Sequence, residues 1–123
     1  MPELDKTAWE VLNATADDWE NLEQIYALVC LDFSAEQYEN RERGAYYLRH
    51  AAGAPSLEEI ADRISALVEA GLLAARQGEA GEAVRDLGDR SYVWRAWFRM
   101  TPAGRSAWDT SEYAALAEQD QAR

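Results

Sequence analysis

Cysteine and histidine are almost absent from this chain, which has one of each, Cys30 and His50. A single cysteine excludes a disulfide within the chain, and we therefore expect a reducing compartment, the cytoplasm. One cysteine and one histidine also fall short of the paired ligands of a structural zinc site. Cys30 lies in the apolar run ALVCL, where a thiol is typical of a packed small hydrophobic side chain. We predict no metal and no other cofactor.

Long apolar runs are also lacking. None approaches the roughly 18 residues that a membrane span needs, and the amino terminus MPELDKTAWE has neither the basic region nor the apolar run of a secretory signal. We therefore expect no membrane partner. The sequence contains no phosphate-binding loop and no dinucleotide fingerprint, and His50 is expected on the surface near a helix end rather than as a base. These absences predict a protein that is not an enzyme.

Positive charge is scarce: 12 Lys and Arg accompany 23 Asp and Glu, and the formal net charge is −11 at pH 7. The excess of acids lies in residues 1–75, with fifteen acids and five bases, whereas residues 76–105 carry six arginines and four acids. A field of this sign repels nucleic-acid phosphates and attracts basic partners. Solubility alone is the other explanation of a negative surface.

The chain does have enough apolar material for one core. Its 123 residues, of which 48% are hydrophobic and five are Trp, indicate a single domain over 1–123. Apolar residues at helical spacing predict helices over 4–13, 15–33 and 35–52, which together form an N-terminal helical region. The second of these helices would start at a capping-box variant made by Thr15 and Asp18.

A helix over 56–70 has the clearest local signals. Ser56 and Glu59 form a capping box, and Gly71 suits the left-handed position that ends a helix. The predicted buried stripe of this helix consists of Leu57, Ile60, Ala61, Ile64, Leu67 and Val68.

Residues 72–100 predict a two-stranded wing, made of a short strand, a loop with three glycines and an alternating strand over 91–100. In that alternation Trp94 and Phe98 face the core, and the outward side chains include Arg95, Trp97 and Arg99. Thr101 as cap and Pro102 at the first position then predict a C-terminal helix over 102–118, with a break near Thr110 and Ser111.

The segment LVEAGLLAAR…GDRSYVWRAWFRMTPAGRSAW resembles the MarR- and PadR-type winged-helix regulators over residues 56–108. The shared residues are Leu67, Gly71, Leu72 and Leu73 at the end of the recognition helix, Asp89-Arg90 in the wing, and Met100-Thr101, Gly104 and Arg105 at the start of the last helix. The resemblance implies an α+β, mainly helical winged helix-turn-helix with a two-stranded β wing. The helix over 56–70 would be the recognition-type helix and the one over 35–52 its support.

The resemblance also implies DNA binding by a homodimer. The dimer would form through the 15–33 helix and the C-terminal helix, with contacts at Trp19, Trp108 and Tyr113. The outer face of helix 56–70 departs from the family, because it carries Glu58, Glu59 and Asp62 where polar and basic residues normally reach base edges and phosphates. A cluster of carboxylates is repelled by phosphates, so the charge disfavours DNA.

Two surfaces are therefore candidate sites. The first is an acidic face of Glu58, Glu59 and Asp62 together with Glu36 and Glu39, which would bind a basic protein and make this chain a regulator, inhibitor or immunity-type partner. The second is in the wing, with Arg85, Arg90, Arg95, Trp97 and Arg99. These wing residues would bind a protein partner or nucleic acid. The alternative is that Trp97 packs under the chain termini or against a dimer mate, while the arginines pair with nearby acids. The alternative function is a MarR- or PadR-like DNA-binding regulator.

Overall fold

The computed structural model describes residues 4–31, 51–78 and 81–115. In chain order the elements are α1 (Lys6–Ala14), β1 (Glu20–Asn21), α2 (Leu22–Cys30), α3 (Leu57–Glu69), β2 (Leu73–Arg76), a 3₁₀ helix (Arg90–Trp94), β3 (Trp97–Met100) and α4 (Pro102–Thr110). The helix predicted over 35–52 falls almost wholly outside the described residues, as do Glu36, Glu39 and His50. No helix within the described ranges is both long and apolar enough to cross a membrane.

The three strands of the described residues form one antiparallel sheet with β3 in the centre, in the order β1-β3-β2. Trp97 is paired with Asn21 on one side and with Arg76 on the other, and Met100 is paired with Leu73. Alternation along the strands sends Phe98 and Met100 into the core and leaves Trp97 and Arg99 on the outer face. The class is α+β, as the sequence predicts, but β1 makes the sheet three-stranded where only a two-stranded wing is predicted.

Helix α3 confirms its predicted boundaries and buried stripe. Ser56 caps it by accepting a hydrogen bond from the Glu59 backbone N–H at 3.2 Å, and Gly71 follows in the left-handed region with φ of 78°. Its buried side chains face α1, α2 and the sheet. They are Ile60, Ala61, Ile64, Ser65, Leu67 and Val68, while Leu57 is half-buried.

The continuous helix predicted over 15–33 is wrong. Thr15 ends α1 instead of starting a helix, because its buried hydroxyl donates to the carbonyls of Val11 and Leu12. The next helix, α2, begins after β1, where Asn21 and Gln24 form a reciprocal capping box at 2.9 and 3.0 Å. The helical spacing of apolar residues is correct for α2 but does not extend through the turn and strand that precede it.

The strand predicted over 91–100 is correct only from Trp97. Asp89 accepts a hydrogen bond from the Ser91 backbone N–H at 3.0 Å and so caps the 3₁₀ helix. In this helix Tyr92 and Val93 are both buried, which a strand cannot achieve with adjacent residues on one face. Trp94, predicted to face the core, is 56% exposed.

Helix α4 starts as predicted and packs closely on the end of α3. Thr101 accepts from the Gly104 backbone N–H at 3.0 Å and donates through Oγ1 to the Gly71 carbonyl at 2.7 Å. A Cβ at Gly104 would overlap the Leu72 carbonyl oxygen and lie 2.9 Å from Cγ of Met100. The helix breaks at Ser111, as predicted, and helical residues resume over 112–115.

Replacing Gly104 with Ala is expected to destabilise the fold, because the backbone of Leu72 lies where the new methyl group would go. Overpacking of this kind costs about 1–3 kcal/mol. Urea unfolding followed by circular dichroism measures the change. The control, Ser106→Ala, alters an exposed position of the same helix and should change the free energy of unfolding by less than about 0.5 kcal/mol. Equal stability of the two variants would contradict the close approach.

We expect the Cys30 thiol to be inert in the folded protein. It is fully buried and donates to the Pro55 carbonyl at 3.2 Å. Burial, together with the carboxylates of Glu10 and Glu59, raises its pKa to about 11, so about one thiol in a thousand is ionised at pH 8. At pH 8, Ellman's reagent should therefore label Cys30 of the folded protein no faster than the protein unfolds. It should label the urea-unfolded protein rapidly. Rapid labelling without urea would show that the thiol is accessible.

Candidate functional site

The outer face of α3 is acidic and exposed. The buried stripe of this helix fixes its rotation, so that Glu58, Glu59, Asp62 and Glu69 point to solvent. The structure therefore brings the predicted residues Glu58, Glu59 and Asp62 together on one surface. Glu36 and Glu39, predicted to extend it, lie outside the described residues.

The arginine on α3 is neutralised by an acid from the start of α1. The Nη2 atom of Arg63 lies 2.7 Å from Oδ2 of Asp5, and the Nε of Arg63 donates a hydrogen bond to the same oxygen at 2.9 Å. Asp5 also caps α1 by accepting from the Ala8 backbone N–H at 2.8 Å. The hydrogen bond from Arg63 outweighs partial burial and holds the pKa of Asp5 below its ordinary value of 3.8. Arg63 consequently adds little positive charge to the face.

Arg90, predicted to act from the wing, lies against α3. Its Nη2 is 3.2 Å from Oδ1 of Asp62, and its Nε donates to Oγ of Ser65 at 3.1 Å. These contacts attach the 3₁₀ helix to α3. Asp62 is therefore paired, whereas Glu58, Glu59 and Glu69 form no ion pair with any of the described residues.

A groove runs between α3 and the 3₁₀ helix beside this acidic face. It encloses about 280 Å³ and is lined by Glu58, Ala61, Asp62, Arg90, Val93 and Trp94. Trp94 is one of two large hydrophobic side chains that the described residues expose. The alternation of residues in the sequence did not predict that Trp94 is exposed. A local signal was present, however, because Asp89, two residues before Ser91, is a residue type that caps a turn and so indicates a turn rather than a strand.

Arg95 was predicted to lie on the same strand face as Trp97 and Arg99, but it does not. It follows the 3₁₀ helix, and its Nη2 donates to Oγ of Ser91 at 3.0 Å. It lines a separate cavity of about 300 Å³ beside Tyr92, whose buried hydroxyl has no hydrogen-bond partner among the described residues. The predicted stripe of three residues is thus reduced to Trp97 and Arg99.

The outer face of the sheet gains residues that the sequence did not indicate. Arg76 is opposite Trp97 across the β2–β3 pair, and its Cζ lies 4.4 Å from the ring centroid of Trp19. Only strand pairing shows that these residues, far apart in sequence, share a surface. Arg85, the remaining predicted wing arginine, is exposed and has no ion pair among the described residues.

The residues predicted for dimer contacts have intramolecular partners. Trp108 stacks on Trp9 with centroids 6.2 Å apart, and the Trp108 carbonyl accepts from Nε1 of Trp9 at 3.2 Å. Trp19 lies under Arg76, and Tyr113 is half-buried. All three remain partly exposed. Within the described ranges, no group of three His, Cys, Asp or Glu side chains is arranged to hold a metal ion.

The Asp5–Arg63 pair predicts a pH-dependent contribution to stability. Asp5→Asn keeps a good helix cap but removes the charge, and should lower the free energy of unfolding at pH 7 by about 0.5–1 kcal/mol, because the pair is partly exposed. Since the pKa of Asp5 is lowered in the folded state, this contribution is present above about pH 4 and is lost as the pH falls through the folded pKa.

Urea unfolding at pH 7 and pH 2 tests this prediction, with Glu23→Gln as the control because Glu23 is exposed and forms no ion pair among the described residues. The difference between wild type and Asp5→Asn should vanish at pH 2. A difference of the same size at both pH values would assign it to the helix cap instead.

Comparison with models of known protein families, with curated proteins and with solved structures finds no match to this chain.

Proposed function

We propose that this chain is a non-enzymatic winged-helix module that binds a basic protein through the outer face of α3. In this role it acts as a regulator, an inhibitor or an immunity-type partner. The binding surface comprises Glu58, Glu59 and Asp62 together with the groove that contains Trp94.

This proposal rests on which charged side chains around α3 form ion pairs and which do not. Both arginines beside the acidic face are engaged by carboxylates, Arg63 by Asp5 and Arg90 by Asp62. Glu58 and Glu59 form no such pair among the described residues. A partner that approaches this face therefore meets carboxylates whose charge is not cancelled, in a chain of net charge −11. Such a field steers a cationic protein toward the face and repels phosphates.

The groove adds an apolar anchor to this electrostatic attraction. Trp94 is exposed and lines the groove together with Val93 and the α3 side chains Glu58 and Ala61. Tryptophan is enriched among the residues that contribute most to protein interfaces. An arginine or lysine of the partner that enters the groove would meet both the indole face and the carboxylate of Glu58.

The winged-helix part of the proposal rests on the order of elements. Helix α3 ends at Glu69 and leads through Gly71 into β2, and β3 leads into α4 through the Thr101 cap. This is the order that the resemblance over residues 56–108 predicts.

A dimeric DNA-binding regulator is the second candidate, favoured by the arginines of the sheet and wing loop. Arg85 and Arg99 are exposed and have no ion pair among the described residues. They are available to backbone phosphates, whereas Arg90 and Arg95 are engaged by side chains of this chain. On this alternative Arg85 and Arg99 would position the duplex while α3 lies near the groove.

Charge reversal on α3 tests the proposal. Fluorescence anisotropy would follow a labelled twelve-residue peptide of alternating Lys and Ser, and separately a labelled 20-base-pair duplex, at about 50 and 200 mM salt. We expect the protein to bind the basic peptide, with weaker binding at higher salt. Glu58→Lys combined with Glu59→Lys should weaken binding at least about tenfold, because it places cations where the partner's cations approach.

The matched control is Glu23→Lys combined with Asp109→Lys, which changes the net charge equally at exposed positions of α2 and α4. It should alter peptide binding less than about threefold. Equal effects of the two double variants, or no peptide binding, would refute the proposed face. Duplex binding that Arg85→Glu and Arg99→Glu abolish would support the DNA-binding regulator instead.

A further inference from the structure

The outer face of the sheet carries a second exposed surface, which we call the aromatic–arginine face. It consists of Trp19, Arg76, Trp97 and Arg99. Trp97 and Arg99 are next-but-one neighbours on β3 and so point to the same side, about 6.6 Å apart along the strand. Arg76 is directly opposite Trp97, and its guanidinium lies over the Trp19 ring. The four side chains therefore form one continuous surface across the sheet.

The two arginines of this face are not neutralised within the described part of the chain. Arg76 and Arg99 are exposed, and neither has an ion pair with a described residue. Arg63 and Arg90, by contrast, are both paired with carboxylates. A chain with nearly twice as many acids as bases thus leaves two neighbouring guanidinium groups unpaired beside two indoles.

The contact between Arg76 and Trp19 holds one of these guanidinium groups in place. At 4.4 Å from the ring centroid it packs over the indole face. A guanidinium held in this way keeps N–H groups at its edge, where a carboxylate can accept two parallel hydrogen bonds. The free protein therefore already holds part of a carboxylate-binding arrangement, which reduces the entropy lost on binding.

We propose that the aromatic–arginine face binds a short acidic segment of another protein. Two carboxylates of the segment pair with Arg76 and Arg99, and an apolar side chain between them packs on Trp97. Two considerations favour an acidic segment over a nucleic acid. The net charge of −11 repels a long polyanion more than a segment with two or three charges, and this face offers just the guanidinium groups of Arg76 and Arg99 to offset that repulsion.

This inference goes beyond the proposed function, because it concerns the sheet rather than α3 and a partner of opposite charge. The two faces would let one chain contact a basic and an acidic partner. Failure at one face leaves the other unaffected, since the α3 face is tested by substitutions at Glu58 and Glu59 and the sheet face by substitutions at Arg76 and Arg99.

The test uses a fluorescein-labelled peptide with one Glu-Gly-Leu-Glu segment flanked by Gly-Ser repeats, with the corresponding Gln peptide and labelled oligothymidylate of twelve nucleotides as comparison probes. Anisotropy at about 50 mM salt should show binding of the Glu peptide and none of the Gln peptide. Arg99→Gln should weaken binding at least about fivefold, and Arg76→Gln combined with Arg99→Gln at least about twentyfold, since each variant removes charged hydrogen-bond donors.

Lys6→Gln is the matched control for Arg99→Gln, because it removes one positive charge from an exposed side chain on α1. It should alter affinity less than about twofold. Circular dichroism checks that each variant is folded. The Arg99 side chain is exposed and forms no hydrogen bond or ion pair with a described residue, so Arg99→Gln is expected to leave the fold intact. No binding of the Glu peptide, equal loss in Lys6→Gln, or equal binding of the Gln peptide would overturn the proposal. Tighter binding of oligothymidylate with the same dependence on Arg76 and Arg99 would overturn it in favour of a single-stranded nucleic acid.

Discussion

The rest of the structure depends on the hydrogen bonds between the end of α3 and the start of α4. Thr101 donates through its side chain to the Gly71 carbonyl and through its backbone N–H to the Leu72 carbonyl, at 2.7 and 3.1 Å. The same Thr101 caps α4 by accepting from Gly104. One threonine thereby joins the turn after α3, the open end of the β2–β3 pair and the start of α4. Gly104 is required because any side chain there would meet the backbone of Leu72.

The end of α1 is joined to the same region. The Thr15 carbonyl accepts from the Met100 backbone N–H at 3.1 Å, and the Ala16 carbonyl accepts from Arg105 at 2.7 Å. Burial of Thr15 turns the chain out of α1 and toward β1, which then pairs with β3. These contacts join the sheet to α1, which packs against α3. Consequently the acidic face and the aromatic–arginine face are presented by separate elements, one on a helix and one on the sheet.

Local signals in the sequence were sufficient where a residue interacts with its near neighbours. Ser56, Gly71 and Thr101 were each predicted to start or end a helix, and each does so, because a cap involves atoms only three or four residues apart. Prediction failed where the competing partner is distant in sequence. Residues 16–21 were assigned to a helix because the pairing of Glu20 and Asn21 with β3 is not visible in the spacing of apolar residues. Trp94 was assigned to the core because alternation alone cannot register the cap at Asp89.

The sequence by itself determined the α+β class, the position and buried stripe of α3, the start of α4 and the acidic character of the α3 outer face. Periodicity, caps and charge are properties of short segments, so they do not depend on how the rest of the chain folds. Only the tertiary structure decided which charges remain unpaired. Arg63 and Arg90 are neutralised by carboxylates 58 and 28 residues away, and Arg76 meets Trp19 across the sheet. An ion pair or a cation–π contact depends on distance in space, which the fold sets and the order of residues does not.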